Sequence, residues 1–350
     1  MSLQALRERI REAAARRAAL RLRGGASKDF LGNALVGEVL DTRGHAGIVS
    51  YEPSELVLTA RCGTSLAEVE ALLAAHGQCL PFEPPHFGPG ATLGGCVAAG
   101  LSGPRRASAG ALRDFVLGAK LVDGRGDLVA FGGQVMKNVA GYDVSRLLAG
   151  SLGTLGLIAE VSLKVLPLPA AEETLVLDLR EAQALEAMNR WAGEPLPVSA
   201  SAWHEGRLML RLSGAAAAVR AGAARIGGTP LADGGGTWRA IREQQHAFFA
   251  GEEPLWRLAI PSTTPPMALG GRTLIEWGGA QRWLKSAAPA GELRAAAERA
   301  GGHATLFRGT DKAAGAFAPL TAASARLHRA LKAAFDPAGI FNPGRMYPEL

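Results

Sequence analysis

Three glycine-rich segments hold the residues of this chain that are best suited to bind a ligand. The first follows a short β-rich run and reads Arg23-Gly24-Gly25-Ala26-Ser27-Lys28. Paired glycines permit positive φ and let consecutive N–H groups converge on an anion. Ser27 and Lys28 can add hydrogen bonds and charge. A tight turn between two elements is the alternative interpretation.

The second segment, "PHFGPGATLGGCVAAGLSGPRRASAG", contains Gly90, Gly94, Gly95, Gly100 and Gly103. The stretch from Thr92 to Ala99 is too rich in glycine to have been chosen for helix stability. N–H groups at its start can bind a pyrophosphate, and the missing side chains let a cofactor lie against the main chain. A P-loop and a Rossmann fingerprint are both missing from the sequence, which disfavours nucleoside triphosphates and nicotinamide cofactors.

The third segment, "VMKNVAGYDVSRLLAGSLGTLG", spans residues 135–156 and ends in a further close-approach site at Gly153, Thr154 and Gly156. It also contains Lys137 and Tyr142, which precede an apolar, helix-like run. Three glycine loops around one ligand suit a long dinucleotide.

Composition limits the class of protein. The 350 residues are 48% hydrophobic and 20% charged, without an apolar run near the roughly 18 residues that span a bilayer. We expect a soluble protein with two domains. The net charge of +6 comes largely from arginines near the amino terminus, which lack the interleaved aromatic residues of a nucleic-acid site. These arginines indicate a solvated face of a first helix.

The cysteines exclude one class of redox centre. Cys62, Cys79 and Cys96 are scattered, without a CxxC pair. They indicate buried, unpaired thiols in a reducing compartment. Because iron-sulfur clusters normally need four thiolates, we expect none held by this chain alone.

The elements that must position the three loops follow from periodicity. "ELVLTARCG" predicts a strand, and "TSLAEVEALLAAHG" predicts a helix capped by Thr64, with Leu66, Val69 and Leu73 on one face. "DFVLGAKLVDGRGDLVAFGG" predicts a hairpin, and "GLIAEVSLKVL" predicts a strand that runs into Pro167.

A different pattern follows these prolines. Two units of strands, hairpins and helices predict an antiparallel sheet with helices on one face, including an Ala-rich packing helix from Ala215 to Ile226. We therefore divide the chain into domains at 1–170 and 171–310, with a carboxyl-terminal segment at 311–350.

The ordered series "RGGASK", "EPPHFGPGATLGG", "SGPRR", "RDFVLG", "KNVAGYD", "GSLGTLG" and "FNPGRMY" resembles the FAD-binding subunits of bacterial glycolate oxidase, also called glycolate dehydrogenase. These belong to the PCMH-type, or vanillyl-alcohol-oxidase, flavoprotein superfamily. The match runs from about Leu20 to Pro169 and over the tail. The resemblance implies an α+β fold: a two-lobed PCMH-type FAD-binding domain, an α+β antiparallel cap, and a tail that returns to the FAD domain.

The resemblance also implies roles for individual residues. Those that would hold the FAD pyrophosphate are Arg23, Gly24, Gly25, Ala26, Ser27, Lys28, Gly90, Ala91, Thr92, Gly94 and Gly95. Ser102 and Gly103 would approach the ribityl and flavin region, and Gly153, Gly156 and Ile158 would line the flavin. Lys137, Tyr142 and Arg345 are the candidate catalytic residues near the ring. A surface lysine, a core-edge tyrosine and a turn arginine are the alternatives.

The sequence differs from relatives at two kinds of functional position: the flavin-attachment residue and the metal-binding residues. Some relatives attach the flavin to a histidine just after the glycine pair, where this chain has Ala26, so we expect non-covalent FAD. His86 is the nearest rival attachment site.

Subunits that oxidise D-2-hydroxy acids resemble one another in a set of histidines and a Glu-His pair that binds a metal. This chain has no such pair after Pro169, and we expect no metal site.

These observations predict a subunit of a complex that oxidises glycolate or another D-2-hydroxy acid. A catalytic FAD subunit would supply the substrate site, and an iron-sulfur subunit would take the electrons. The alternatives are an electron-relay or structural flavoprotein subunit without its own substrate site, and a free-standing oxidase. We expect a cytoplasmic location, at the inner face of the membrane only through partners.

Overall fold

The computed structural model describes residues 1–133 and 143–350; Lys137 and Tyr142 lie outside the described residues. The helices are α1 Leu3–Arg16, α2 Leu66–Ala75, α3 Leu93–Ala99, α4 Arg106–Ala109, α5 Leu112–Phe115, α6 Val144–Leu147, α7 Glu181–Ala192, α8 Ala216–Ile226, α9 Gly234–Arg242, α10 Ala290–Arg299 and α11 Ala322–Phe335. None of the helices in the described ranges is long and apolar enough to cross a membrane.

The strands form four sheets. They are β1 Leu20–Arg23, β2 Glu38–Asp41, β3 Ile48–Glu52, β4 Val57–Arg61, β5 Gln78–Cys79, β6 Val116–Val122, β7 Leu128–Gly132, β8 Leu157–Lys164, β9 Leu166–Pro167, β10 Ala171–Asp178, β11 Val198–His204, β12 Arg207–Gly214, β13 Thr229–Pro230, β14 Leu255–Ala259, β15 Arg272–Glu276, β16 Gln281–Lys285 and β17 His303–Arg308.

The amino-terminal unit, which contains α1–α6 and β1–β9, is built on an antiparallel sheet in the order β3-β4-β8-β6-β7. The predicted hairpin is confirmed as β6 and β7. Strand β8 is buried on both faces: Val161 and Leu163 belong to the core shared with α2 and α3, whereas Leu157 and Ala159 belong to a second core. The strand predicted from "GLIAEVSLKVL" is thus the central support of this unit.

The first helix closes the second core. Leu6, Ile10 and Ala13 of α1 are spaced one turn apart and are buried against Leu20 and Phe341. The helix is confirmed, but its arginine face is only partly solvated. The side chain of Arg7, for example, donates a hydrogen bond of 2.8 Å to the carbonyl of Gly126 in the β6–β7 turn.

The helix α2 is confirmed, but Thr64 is not its cap. Leu66, Val69 and Leu73 are fully buried, as predicted. The N-cap position belongs to Ser65. The hydroxyl of Thr64 instead pairs with the backbone of Gly47, at 2.9 Å from its nitrogen and 3.2 Å from its oxygen. A loop-to-loop contact therefore outweighs local capping here.

The cap, which contains β10–β17 and α7–α10, is an eight-stranded antiparallel sheet in the order β13-β10-β12-β11-β15-β16-β14-β17. The two predicted units meet where β11 pairs with β15. Helices α7, α8 and α10 pack on one face, as expected. Helix α9 was not predicted and packs on the other face, where Trp238 and Ile241 contact Met209. The face opposite α7, α8 and α10 is called the inner face below.

The tail returns to the amino-terminal unit. Phe341 bridges to Leu20 of β1, whose backbone exchanges hydrogen bonds with Ile340 and Asn342 at 2.7 and 2.9 Å. The buried ammonium of Lys332 binds the carboxylate of Asp336 at 2.8 Å. The predicted α+β architecture with a returning tail is confirmed.

Candidate functional site

The first two glycine loops and the segment Gly153–Ile158 converge around two adjoining cavities. The residues that line both are Leu22, Arg23, Gly24, Gly95, Ala98, Leu152 and Asn342. One cavity extends to Cys62, Gly94, Gly153, Gly156 and Ile158, and the other to Gly25, Ala26, Ser27, Lys28, Thr92 and Arg345. Segments that are more than 100 residues apart in the sequence thus form a single site.

The paired glycines of the first loop are required by a close approach of two loops. A Cβ atom on Gly25 would lie 1.4 Å from the carbonyl oxygen of Gly90, and one on Gly24 would lie 2.2 Å from Oγ1 of Thr92. The left-handed backbone that we expected at the glycines falls on Ala26 instead, at φ 60°. The glycines therefore make room for protein backbone and do not supply positive φ.

Backbone donors in the first loop are available to a ligand. Within the described ranges, the N–H groups of Gly25, Ala26, Ser27 and Lys28 donate no hydrogen bond to protein. Four consecutive unpaired donors, in a turn that contains a left-handed residue, favour an anion.

The start of α3 differs from our expectation. The N–H groups of Leu93 and Gly94 already donate to the carbonyls of Thr64 and Cys62, at 2.9 and 2.8 Å, and that of Gly95 donates to Oγ1 of Thr92 at 3.3 Å. These hydrogen bonds attach the start of α3 to the loop that contains Cys62 and Thr64. The contribution of Gly94 and Gly95 to the site is the absence of side chains.

The side chain of Lys28 lies against the start of the second glycine segment. Its ammonium donates to the carbonyl of His86 at 3.1 Å and lies 5.7 Å from the centroid of the Phe87 ring. Burial lowers the pKa of Lys28 below its ordinary value of 10.5, an effect that Cys96 and Glu243 partly offset. Its Nζ atom also lies 3.4 Å from Oγ of Ser27, within the same loop as the unpaired N–H groups.

Arg345 of the tail donates hydrogen bonds to backbone carbonyls of the first loop and its following turn. Its guanidinium donates to the carbonyls of Asn33 and of Asp29, the latter at 2.9 Å, and burial lowers its pKa to about 10. These hydrogen bonds attach the tail to the first loop and to the turn that follows it, and Arg345 also lines one of the two cavities.

The third segment meets the tail at the cavity wall. Gly153 has φ 71°, and a Cβ atom there would lie 2.8 Å from Nδ2 of Asn342. The Asn342 amide donates to the carbonyl of Leu152 at 2.6 Å and accepts from the N–H of Leu22 at 2.9 Å. Asn342 thereby joins the strand before the first loop to the third segment, a role that the turn signal Asn-Pro-Gly did not reveal.

Comparisons with known proteins agree with this geometry. Residues 1–132 match the family described as FAD binding domain, and residues 308–346 match FAD linked oxidases, C-terminal domain. The sequence is 48% identical to the glycolate oxidase subunit GlcE of Escherichia coli (strain K12) over 99% of this chain and 98% of that protein. The chain belongs to the GlcE family. It is an FAD-binding flavoprotein and an oxidoreductase subunit.

Other similarities of this GlcE-family chain are partial or concern the fold. The glycolate oxidase subunit GlcD of Bacillus subtilis (strain 168) is 33% identical over 37% of this chain and 27% of its own length. A solved alkyldihydroxyacetonephosphate synthase superposes with a TM-score of 0.66 over 97% of this chain and 74% of its own, at 14% identity. The latter shows a shared fold.

Four other predicted residues of the GlcE-family chain do not line the two cavities: Gly90, Ala91, Ser102 and Gly103. Ser102 accepts a hydrogen bond of 3.0 Å from the N–H of Leu112, and the carbonyl of Gly103 accepts one of 3.1 Å from Nε1 of Trp277. Both residues line a third cavity, between the amino-terminal unit and the cap. Lys137 and Tyr142 were placed near the flavin by resemblance alone and stay predictions.

Histidines in the cap of this GlcE-family chain do not assemble a metal site in the described ranges, where no group of three His, Cys, Asp or Glu side chains is close enough to hold an ion. His204 and His246 lie edge to face with centroids 5.8 Å apart. Their Nδ1 atoms contact the carbonyl of Thr273 at 3.0 Å and the N–H of Phe248 at 3.2 Å. Each is thus held by the backbone.

Proposed function

We propose that this chain is the FAD-binding subunit of a complex that oxidises glycolate to glyoxylate and passes the electrons to an iron-sulfur subunit. The observation that carries the proposal is the convergence of three glycine loops on one site, in a chain that matches a glycolate oxidase subunit over nearly its whole length. FAD supplies the acceptor for a hydride from the α-carbon of the acid.

The residues that would hold FAD follow from the cavity walls. The N–H groups from Gly25 to Lys28 would bind the pyrophosphate, with Lys28 adding charge. Thr92, Gly94 and Gly95 line the cavities and would allow close approach by their lack of bulk, whereas Gly90 and Ala91, which were predicted with them, do not line the cavities and remain proposals by resemblance. Gly153, Gly156 and Ile158 would face the cofactor from the opposite wall.

We propose non-covalent attachment of the FAD. Ala26 carries only a methyl group, and His86 is already engaged: its Nε2 atom lies 3.0 Å from the carboxylate of Glu70, and its N–H donates to Glu243. Acid or heat precipitation should therefore release all of the flavin into the supernatant. Flavin that stays with the precipitate would contradict this attachment.

Three partners follow from the same proposal: a catalytic FAD subunit, an iron-sulfur subunit and a small 2-hydroxy acid. The three cysteines of this chain are free, and each is buried or partly buried. They do not offer the four thiolates that a cluster needs. Electrons would leave through a partner, and contact with a membrane, at its inner face in the cytoplasm, would be indirect.

The test is steady-state reduction of an artificial dye with glycolate, first by the isolated FAD-loaded chain and then by the chain mixed with its candidate partners. We expect the mixture to turn over and the isolated chain to be slow or inactive. Equal rates would show that this subunit acts as a free-standing dehydrogenase. A mixture that is inactive with glycolate would contradict the proposed function.

One observation favours the alternative of an electron-relay subunit. The described part of the chain lacks a metal cluster that could orient a hydroxy acid. In that case the flavin of this chain would be reduced by the partner and not by substrate.

A further inference from the structure

A narrow cavity at the junction of the amino-terminal unit and the cap contains polar groups that the fold leaves without partners. Ser102 and Gly103 form one wall, and Gln244, Arg257 and Glu276 of the cap form the other. The free volume of the cavity is about 20 Å³, little more than one water molecule needs, so a ligand must be small and the cavity walls must move apart to admit it. It adjoins the first loop through Phe87, the ring beside Lys28.

Arg257 is the first unpartnered group. It lies on the inner face of β14, between Trp256 and Leu258, which pack into the core on the other face. Its guanidinium lies 5.7 Å from the centroid of the Phe307 ring, yet it forms no hydrogen bond or ion pair with any residue of the ranges 1–133 and 143–350. Residues 134–142 contain no Asp or Glu that could neutralise it.

Other buried arginines of the same sheet are paired. Arg211 lies 2.8 Å from the carboxylate of Glu83, and Arg282 donates to the carbonyl of Pro265 at 2.8 Å. Burial, together with the nearby charge of Arg106, lowers the pKa of Arg257 to about 10, so the side chain stays protonated at neutral pH. A partly buried cation without a counter-ion is costly for the fold and is therefore expected to meet an anion.

Gln244 supplies a second donor. Its Oε1 atom accepts a hydrogen bond of 2.8 Å from Nε of Arg308, which fixes the orientation of the amide. The Nε2 atom is buried and has no partner within the described structure. The residue also has φ 55°, a strained backbone that places this amide at the cavity wall.

Glu276 supplies an acceptor. Its Oε2 atom accepts hydrogen bonds from Nε1 of Trp283 at 2.6 Å and from Nε2 of Gln281 at 3.0 Å. Its Oε1 atom accepts none from the described residues. Burial raises the pKa of this carboxyl to about 7, so that a substantial fraction can act as a proton acceptor near neutral pH.

We propose that this cavity is a carboxylate site for a small 2-hydroxy acid, in which Arg257 and Gln244 bind the carboxylate and Oε1 of Glu276 accepts a hydrogen bond from the hydroxyl. The inference rests on the proposed function and deepens it: this subunit would hold its own substrate site, which we had expected on a partner. The ligand class is a monocarboxylate of two or three carbons.

The test is calorimetric titration of the FAD-loaded full chain, without oxygen, with glycolate and with acetate. Arg257→Met should weaken the binding of both acids about 10- to 100-fold, the range expected for lost hydrogen bonds to a charged group, whereas Arg257→Lys should retain part of it. Arg207→Met, at an exposed site in the same sheet, is the matched control and should bind like the wild type. Glu276→Gln should reduce the preference for glycolate over acetate.

Failure of the inference is distinguishable from failure of the proposed function. If the wild-type chain binds neither acid while the assembled complex oxidises glycolate, the cavity is not a substrate site and the proposed function stands. The inference is also overturned if Arg257→Met leaves both affinities unchanged, or changes only the flavin absorbance, which would assign the guanidinium to the cofactor. Circular dichroism of each variant shows whether it is folded. If Arg257→Met is unfolded, the affinities of Arg257→Lys for the two acids decide the outcome.

Discussion

Gly25 and Gly94 are required where two pieces of backbone meet. A Cβ atom on Gly94 would lie 2.6 Å from Cβ of Cys62, and one on Gly25 would overlap the carbonyl of Gly90. From the sequence, we predicted that both glycines leave space for a cofactor. In the structure, Gly25 makes space for the backbone of the second glycine segment and Gly94 makes space for Cys62. We propose that the cofactor site depends on these close approaches.

Gly25→Val and Gly94→Val should each cause a large loss of bound flavin while much of the secondary structure remains. The added side chain must push the loops apart, because backbone cannot yield as the end of a flexible side chain can. Gly291→Val is the matched control, since a Cβ atom there meets nothing within 4 Å. The measurement is the ratio of flavin to protein absorbance. Full flavin occupancy in both loop variants would show that these loops do not hold the cofactor.

Glu276 should make stability depend on pH. Its pKa of about 7 lies above its ordinary value of 4.5, so between these values the folded chain keeps a proton that the unfolded chain has released. Stability from this group is therefore present below about pH 4.5 and is lost as the pH rises to about 7, by roughly 3 kcal/mol in total.

Glu276→Gln keeps an acceptor for Trp283 but cannot ionise. The variant should gain stability relative to the wild type as the pH rises from 5 to 8, when unfolding by urea is measured at each pH. The difference between the two proteins cancels the titration of other groups, such as His45, His246 and His303. A difference that stays constant over this range would contradict the raised pKa of Glu276.

Among the elements, the tail packs against the segments that we propose to hold the cofactor. Ile340 and Phe341 belong to the core beneath α1, and Asn342 and Arg345 contact the third segment and the first loop. We therefore expect that a chain truncated after Asp336 loses flavin or solubility. Arg345→Met, which removes only the hydrogen bonds to the first loop and its following turn, should weaken flavin binding without unfolding the chain, and Arg329→Met on the exposed side of α11 is its control. A truncated chain that is soluble and yellow would contradict this role.

Local patterns predicted the elements that they determine. The arginine-rich run near the amino terminus indicated α1, and Asp123-Gly124 indicated the turn of the β6–β7 hairpin, because both signals are local. Helix α9 was missed since it begins with three glycines. Its signals were Asp233, whose carboxylate caps the N–H of Gly236 at 2.8 Å, and the buried Trp238.

Pairings between distant residues could not be predicted from the sequence. From the sequence, the N–H groups of Leu93 and Gly94 were expected to bind an anion. In the fold they donate to the carbonyls of Thr64 and Cys62 instead. Similarly, "LWRLA" shows a charge within an apolar strand, but only the assembled sheet reveals that Arg257 forms no hydrogen bond or ion pair with the described residues. The resemblance predicts which loops hold the cofactor, and tertiary contacts decide which atoms of those loops remain available.

At the scale of the whole molecule, ion pairs join the amino-terminal unit to the cap. Glu83 lies 2.8 Å from Arg211, and Arg105 lies 2.5 Å from Glu172. These contacts lie beside a cleft between the two parts, which α9 borders with Trp238. We propose that the domain boundaries at 170/171 and 310/311 separate units that the flavin site and these ion pairs hold together.

We propose that the flavin of this chain carries the electrons of glycolate oxidation. The most direct measurement is glycolate-dependent dye reduction by the complex assembled with the Gly25→Val chain, against the complex with the Gly291→Val chain, at matched subunit content. We predict that turnover falls in proportion to the flavin lost from this chain and stays normal in the control. Full turnover by a complex whose Gly25→Val subunit contains no flavin would contradict the account and leave this subunit a structural role.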